Sequence, residues 1–217
     1  MIKALFFDAE GTFLRFNPSL GNIYYNLLRP FGFKIDPEKV AKRLRIEYEV
    51  VFQKELRPPL SGDLCKEAWR RVFDRVLSDY RDHPLFEKAF ERVYRFFSQP
   101  ECVEVMPGFR SFISELKDSG FIRAVITNWD CRLYSILEGH GLLEYFDAIF
   151  IGCEVGYLKP HPEIFQKALS HFNLKPVEVI MIGDSLKDDI LPAQQMGMKT
   201  YHVKGTPDFN EVLNLVY

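Results

Sequence analysis

The sequence predicts a doubly wound, Rossmann-like α/β fold, a parallel-sheet core interrupted by an inserted all-helical segment. Three observations carry this expectation. The chain opens on IKALFFD, a short apolar run ended by an aspartate, which reads as a strand buried on both faces in the middle of a parallel sheet. Residues 17–99 have helical character throughout. After Pro100, strand-like and helix-like segments alternate, the pattern of successive βα units.

The elements follow in order. Ser19 can cap a helix that runs to the break at Arg29-Pro30. Asp36 followed by Pro37 starts a second helix through VAKRLRIEYEVVFQKE, because proline at the first helical position forfeits no hydrogen bond. Pro58-Pro59 and Ser61-Gly62 punctuate the chain, and Arg57-Pro58-Pro59 reads as a surface turn. A third helix follows through KEAWRRVFDRVLSDY, and Pro84 opens a fourth, LFEKAFERVYRFF, which ends near Pro100. Helix 107–119 then stops at Gly120, FIRAVIT is a strand, and Asp130 starts a helix ending at Gly139 or Gly141. AIFIG is a strand, PEIFQKALSHF a helix, VEVIMIGD a strand, LPAQQMGM the end of a helix, and KTYHV a last strand. The expected domains are therefore an α/β core made of 1–16 and 100–217, and a helical cap of 17–99.

Composition narrows the function classes. Of 217 residues, 47% are hydrophobic, enough to bury a sizeable core. A net charge of −2 gives no reason to expect a nucleic-acid partner. No apolar stretch reaches the roughly 18 residues of a membrane span, and no signal peptide precedes the first strand, so a cytoplasmic location is expected. Cys65, Cys102, Cys131 and Cys153 are widely and irregularly spaced, without a C-x-x-C pair. Free, mostly buried thiols are the expectation. Residues 17–99 carry 16 Lys+Arg against 12 Asp+Glu, whereas the remainder carries 12 against 18. A basic cap over an acidic core suits an anionic ligand together with a cation, although solvated helices also collect basic residues.

Four candidate sites fall at or just after the C-terminal ends of predicted strands, where open parallel sheets bind ligands. They are FFDAEGT, with Asp8, Glu10, Gly11 and Thr12; VITNWD, with Thr127 and Asn128; GYLKPHPEIF, with Lys159; and MIGDSLKDD, with Asp184, Ser185, Asp188 and Asp189. Each has a structural explanation when taken singly. An Asp after a strand caps a turn, Thr-Asn favours turns, a lone Lys is a solvated surface residue, and paired acids favour a helix start. The set in this order is harder to explain that way.

These motifs, D-A-E-G-T, T-N, K-P and G-D-S-x-x-D-D, resemble those of the haloacid dehalogenase superfamily and span nearly the whole chain. The insertion after the first motif resembles the helical-cap class. PGFRSF, GYLKPHPEIFQKAL, GDSLKDD and the Trp69 region look most like the rhythmically expressed gene 2-like branch. The resemblance implies a phosphatase acting on a small phosphorylated metabolite. Asp8 is then the nucleophile, a carboxylate that needs no base to activate it. Mg²⁺ is implied as cofactor, held by Asp8, the backbone carbonyl of Glu10 and Asp184, with Asp189 supporting the metal or its waters or binding it directly. Thr127 and Asn128 are implied to donate to the phosphoryl oxygens, and Lys159 to neutralise the charge of nucleophile and phosphoryl group. The role of Asp188 is left open, since many relatives carry Asn there.

Glu10 is the departure. Most phosphatases of the superfamily carry Asp two residues after the nucleophile, as the acid that protonates the leaving oxygen. Glu keeps that chemistry on a side chain one methylene longer. The enolase-phosphatase branch resembles D-x-E-G-T here, but its other motifs do not match. The dehalogenases' Tyr and the phosphonate hydrolases' Ala do not match Glu10. A phosphotransferase or mutase on the same chemistry, or a ligand- or partner-binding member with low turnover, remains an alternative. The physiological substrate and the oligomeric state are not legible in the sequence.

Overall fold

A computed structural model describes residues 1–216. Its centre is a five-stranded, all-parallel sheet whose spatial order is β5 (Ala148–Ile151), β4 (Ile122–Thr127), β1 (Ala4–Phe7), β6 (Val179–Gly183) and β7 (Lys199–His202). Strand β1 (Ala4–Phe7) is the middle strand, and its run ALFF is buried at every residue. Ala4 and Phe6 pack on one face, whereas Leu5 and Phe7 pack on the other, as the two-residue period of a strand requires. Each face is covered by helices, which is why the strand is apolar throughout rather than alternating.

After β1 the chain forms β2 (Leu14–Phe16) and enters the helical block. Helices α1 (Leu20–Leu28), α2 (Pro37–Tyr48), α3 (Gly62–Val76) and α4 (Phe86–Phe96) follow. The Asp36 carboxylate accepts from the amides of Glu38 and Lys39, as its sequence position predicts. Ser61 caps α3 in the same way, while Ser19 sits at the start of α1 without a side-chain cap. The second helix does not run uniformly through residue 55. After Tyr48 its turns widen, and the Leu56 amide bonds the carbonyl of Val51. Strand β3 (Val103–Val105) then pairs antiparallel with β2, a pairing missing from the expected order. Glu104 accepts from Arg15 and from Asn17, so the two crossings between block and sheet are tied to one another.

The alternating half follows as α5 (Phe109–Lys117), β4 (Ile122–Thr127), α6 (Arg132–Gly139), β5 (Ala148–Ile151), a short α7 (Gly152–Val155), α8 (Pro162–His171), β6 (Val179–Gly183), α9 (Leu191–Gln195), β7 (Lys199–His202) and α10 (Phe209–Val216). Helices α7 and α10 were not expected. Phe209 at the start of α10 stacks on Phe112 of α5 at 4.9 Å, a contact with no local periodic signal. No described helix is long and apolar enough to cross a membrane.

The cysteine expectation is corrected. Cys65 of α3 and Cys153 of α7 form a disulfide across 88 residues of sequence. Cys102 and Cys131 are free, the first buried and the second exposed. Spacing could not reveal the pair, because only the docking of the helical block on the α7 region brings the two residues together. Beside the bridge, the Leu60 amide donates to the carbonyl of Gly156 at 2.9 Å. The Pro58-Pro59 segment thus docks on the core next to the disulfide.

Candidate active site

Parallel pairing sets Phe7 of β1 opposite Val125 of β4 and Ile182 of β6. The residues that follow these strands must therefore emerge at one edge of the sheet. Asp8 and Asp184 do so, Thr127 ends β4 beside them, and Lys159 arrives from the loop between α7 and α8. The Asp8 amide is pinned there by the carbonyl of Ile182 at 2.8 Å.

Lys159 is buried, with 2% of its surface exposed, and its ammonium bridges two carboxylates. It donates to Asp8 Oδ1 and to Asp189 Oδ1, each at 2.6 Å. Asp189 is 1% exposed, and its Oδ2 accepts from the Ser185 amide at 3.0 Å. Both Asp189 oxygens are thus engaged by the protein. Oxygen atoms of Asp8, Asp184 and Asp189 lie within 4.8 Å of one another.

Backbone shape makes the cluster possible. The segment Leu186–Ile190 is one widened helical turn in which the Ile190 amide reaches the carbonyl of Ser185. That turn points Asp189 inward and leaves its neighbour Asp188 half-buried, facing Gln53 of the helical block at 3.5 Å. Such turns recur at functional sites. Gly11 has φ +84°, and a Cβ there would lie 2.3 Å from Asp184 Oδ2. The close neighbour that demands glycine is therefore the Asp184 carboxylate.

Electrostatics follow from this crowding. Burial pushes the Asp8 carboxyl up, Asp189 and Asp184 add to the push, and Lys159 opposes it. Desolvation would lower the Lys159 ammonium, but Asp189 and Asp8 hold it above its ordinary range. Asp184 and Asp188 are raised, chiefly by desolvation. Glu10 presents its carboxyl to a cavity and keeps solvent contact there, while protein walls enclose it. Desolvation and the charge of Asp184 bring it up to about 7, with Arg45 pulling the other way.

Thr127 and Asn128 reach the same edge. Thr127 Oγ1 accepts from the Trp129 amide at 3.1 Å. Asn128 is largely spent on Lys159: its Nδ2 donates to the Lys159 carbonyl at 2.9 Å, and its Oδ1 accepts from the Lys159 amide at 2.7 Å. The Asn128 side chain also hydrogen-bonds the Tyr48 hydroxyl, so its amide is fully engaged by the protein.

A cavity of about 790 Å³ opens over these groups and extends into the helical block. Residues missed in the sequence line it. Arg45 and Lys42 of α2 face it from a solvated helix whose charges carried no positional signal. Tyr48 also lines it, and burial together with Asp188 raises its hydroxyl. Arg132 lines it too, held by two bonds to Asp130 and lying 3.9 Å from the ring centre of Tyr94. The D-x-R spacing after β4 was the available signal for this last pair.

A parallel α/β sheet bearing clustered carboxylates and one buried lysine at one edge, roofed by inserted helices, fits a class of hydrolases. The model of the haloacid dehalogenase-like hydrolases matches residues 2–197, and the chain belongs to that family. It is 30% identical to the human haloacid dehalogenase-like hydrolase domain-containing protein 3, over 98% of this chain and 86% of that one. It is 26% identical to the Drosophila melanogaster rhythmically expressed gene 2 protein, over 90% and 80% of the two chains, in agreement with the expected branch. The magnesium-bound HAD-hydrolase YfnB of Bacillus subtilis shares the fold, with a TM-score of 0.82 at 19% identity over 99% of this chain and 98% of that one.

Proposed function

We propose that this hydrolase is a magnesium-dependent phosphatase that cleaves a small phosphomonoester through a phosphoryl group carried on Asp8. The observation that carries the reading is the buried Asp8–Lys159–Asp189 array with Asp184 beside it. Three carboxylates face one ammonium, and the excess negative charge in a confined site favours a divalent cation. The donors are all hard oxygens, which suit Mg²⁺. Asp8, the Glu10 carbonyl and Asp184 would hold it. Asp189, with both oxygens already engaged, would support the site through Lys159. When bound, the cation neutralises charge between the nucleophile and the phosphoryl group.

The chain's own groups account for the remaining chemistry. Lys159 occupies Asp8 Oδ1, which leaves Oδ2 for the attack. As the Asp8 O–P bond forms, the ester P–O bond breaks and the leaving oxygen takes a proton from Glu10. Burial raises this carboxyl, which suits a group that must first give and then recover a proton. Water then gives its proton to Glu10 and attacks phosphorus. The Asp8 O–P bond breaks, releasing inorganic phosphate. Lys159 neutralises the phosphoryl oxygens and Thr127 donates to them, while Asn128, bonded to the Lys159 backbone and to Tyr48, would donate only by exchanging its Tyr48 bond for the phosphoryl group. Residues 17–99 act as the cap that shields the reaction and selects the leaving group.

Asp8→Asn keeps the shape and removes the nucleophilic charge. Hydrolysis of an aryl phosphate in Mg²⁺ is expected to fall to background in this variant, and in the wild type with chelator. Undiminished turnover by Asp8→Asn would overturn the mechanism.

A further inference from the structure

We propose that the leaving group is an uncharged, ring-bearing alcohol, mostly hydrocarbon, so that the substrate is an arylalkyl-type phosphomonoester and not a polyol or sugar phosphate. This rests on the phosphatase reading above and specifies its substrate class. Within the helical block the cavity lining includes an apolar group, Tyr24, Leu44, Phe73, Phe90, Val93 and Phe97, from or just beyond all four helices, with the hydroxyls of Ser19, Tyr48 and Tyr94 elsewhere on the same lining. None of the six has more than 8% of its surface exposed. Their rings pack against one another: Tyr24 lies 6.4 Å from Phe73 and 6.0 Å from Phe97, and Phe73 lies 5.5 Å from Phe90. At about 790 Å³ the cavity falls in the range of sites that enclose a ligand larger than a three-carbon phosphate.

The charge beside this wall does not call for an anionic leaving group. Arg132 spends Nε and Nη2 on the Asp130 carboxylate and Nη1 on the carbonyl of Tyr94. Its charge is matched by Asp130, which is itself 2% exposed. What Arg132 offers is a flat cation stacked on Tyr94. Of the solvated cations that line the cavity, Arg15 is paired with Glu104, and Lys42 and Arg45 lie on α2, where Arg45 acts on the Glu10 carboxyl.

Magnitudes separate the two substrate classes. A hydroxyl buried against this wall without a partner weakens binding by roughly ten- to a hundred-fold. A ring in the same place gains from apolar burial and from edge or face contacts with the wall rings. A sugar or glycerol moiety brings several hydroxyls, whereas an arylalkyl alcohol brings only the esterified oxygen.

The test compares two non-hydrolysable probes by calorimetry with the intact protein in Mg²⁺: 2-phenylethyl phosphonate and 2,3-dihydroxypropyl phosphonate. The arylalkyl probe is expected to bind at least about 30-fold more tightly. In Val93→Thr, nearly isosteric but with a hydroxyl in the wall, that ratio is expected to fall several-fold, with thermal melting used to check that the variant is folded. Equal or reversed affinities in the wild type would overturn the proposal without needing any variant, and so would an unchanged ratio in folded Val93→Thr. Rates on the corresponding phosphates separate the two readings. No turnover of either ester with the binding preference intact would fail the phosphatase reading alone. Turnover without an arylalkyl preference in rate or binding would fail this inference alone.

Discussion

Asn128 and Lys159 hold one another by the main chain of the lysine: the asparagine carboxamide donates to the Lys159 carbonyl and accepts from the Lys159 amide, at 2.9 and 2.7 Å. The pair joins the end of β4 to the loop before α8, and so aims the ammonium between Asp8 and Asp189. Asn128→Ala strands both backbone groups, at about 1–3 kcal/mol for such a loss. Its kcat/KM is expected to fall together with its stability. Asn128→Asp keeps the acceptor and loses the donor, so it should lie between wild type and Asn128→Ala in chemical denaturation and in kinetics. Wild-type kinetics in Asn128→Ala would remove the positioning role.

Lys159→Met should cost more than a charge in the transition state. It leaves Asp8 and Asp189 facing one another, buried and uncompensated, where breaking such an arrangement costs about 3–5 kcal/mol of stability. Loss of its contact with the reacting group is expected to lower kcat/KM by about 2–4 kcal/mol. Urea unfolding without divalent cation reads the first effect, and kinetics in Mg²⁺ the second. A variant as stable as wild type without cation would show that the two carboxylates do not need the ammonium.

Glu10→Gln should lose turnover of an alkyl phosphate by about 10²–10⁴-fold, and less on an aryl phosphate whose leaving group departs without a proton. Binding of Mg²⁺, measured by calorimetry, should persist, because the side chain is not a proposed ligand. Glu10→Asp should be slower than wild type if the site is shaped for the longer acid. A rise above wild type would instead mark position 10 as a decayed site.

Without cation, stability should decline as pH rises through the range between the ordinary carboxylate value of 4.5 and the Glu10 value of about 7. The folded protein favours neutral Glu10, so it binds more protons than the unfolded chain in that window, and linkage makes stability fall with pH. Asp8 and Asp184 are raised in the same direction. Thermal melts of the wild type at about pH 5 and about pH 8 should show the lower Tm at the higher pH, and Mg²⁺ should reduce the difference. Glu10→Gln should show a shallower slope. A cation-free Tm that rises across the window would contradict the charge arrangement described above.

The Cys65–Cys153 bridge closes a loop of 88 residues. By the chain-entropy argument, a loop of that size constrains the unfolded state by about 4–5 kcal/mol. Cys65→Ser, and the reduced wild type, should therefore unfold at clearly lower denaturant, with the variant insensitive to reductant. Identical unfolding of oxidised and reduced wild type would mean that the bridge adds no stability.

The sheet was legible in the sequence, because an apolar run such as ALFF followed later by alternating strand-like and helix-like segments fits a strand buried on both faces of a parallel core. The sequence also pointed to the four segments that meet at one edge of the sheet, because motif order and strand order jointly place Asp8, Thr127, Lys159 and Asp184 there. Capping chemistry was equally local: Asp36 starts its helix as its neighbours dictate. Other properties depend on partners far along the chain and emerge only on folding. Lys159 reads alone as a surface lysine, yet it is buried because two carboxylates, 151 and 30 residues away, satisfy its charge. The division between Asp188 and Asp189 was settled by one widened turn that no propensity encodes. The β2–β3 pairing, the disulfide and the aromatic cavity each need the helical block docked on the core. Docking depends on the complementarity of whole surfaces, which local periodicity does not record.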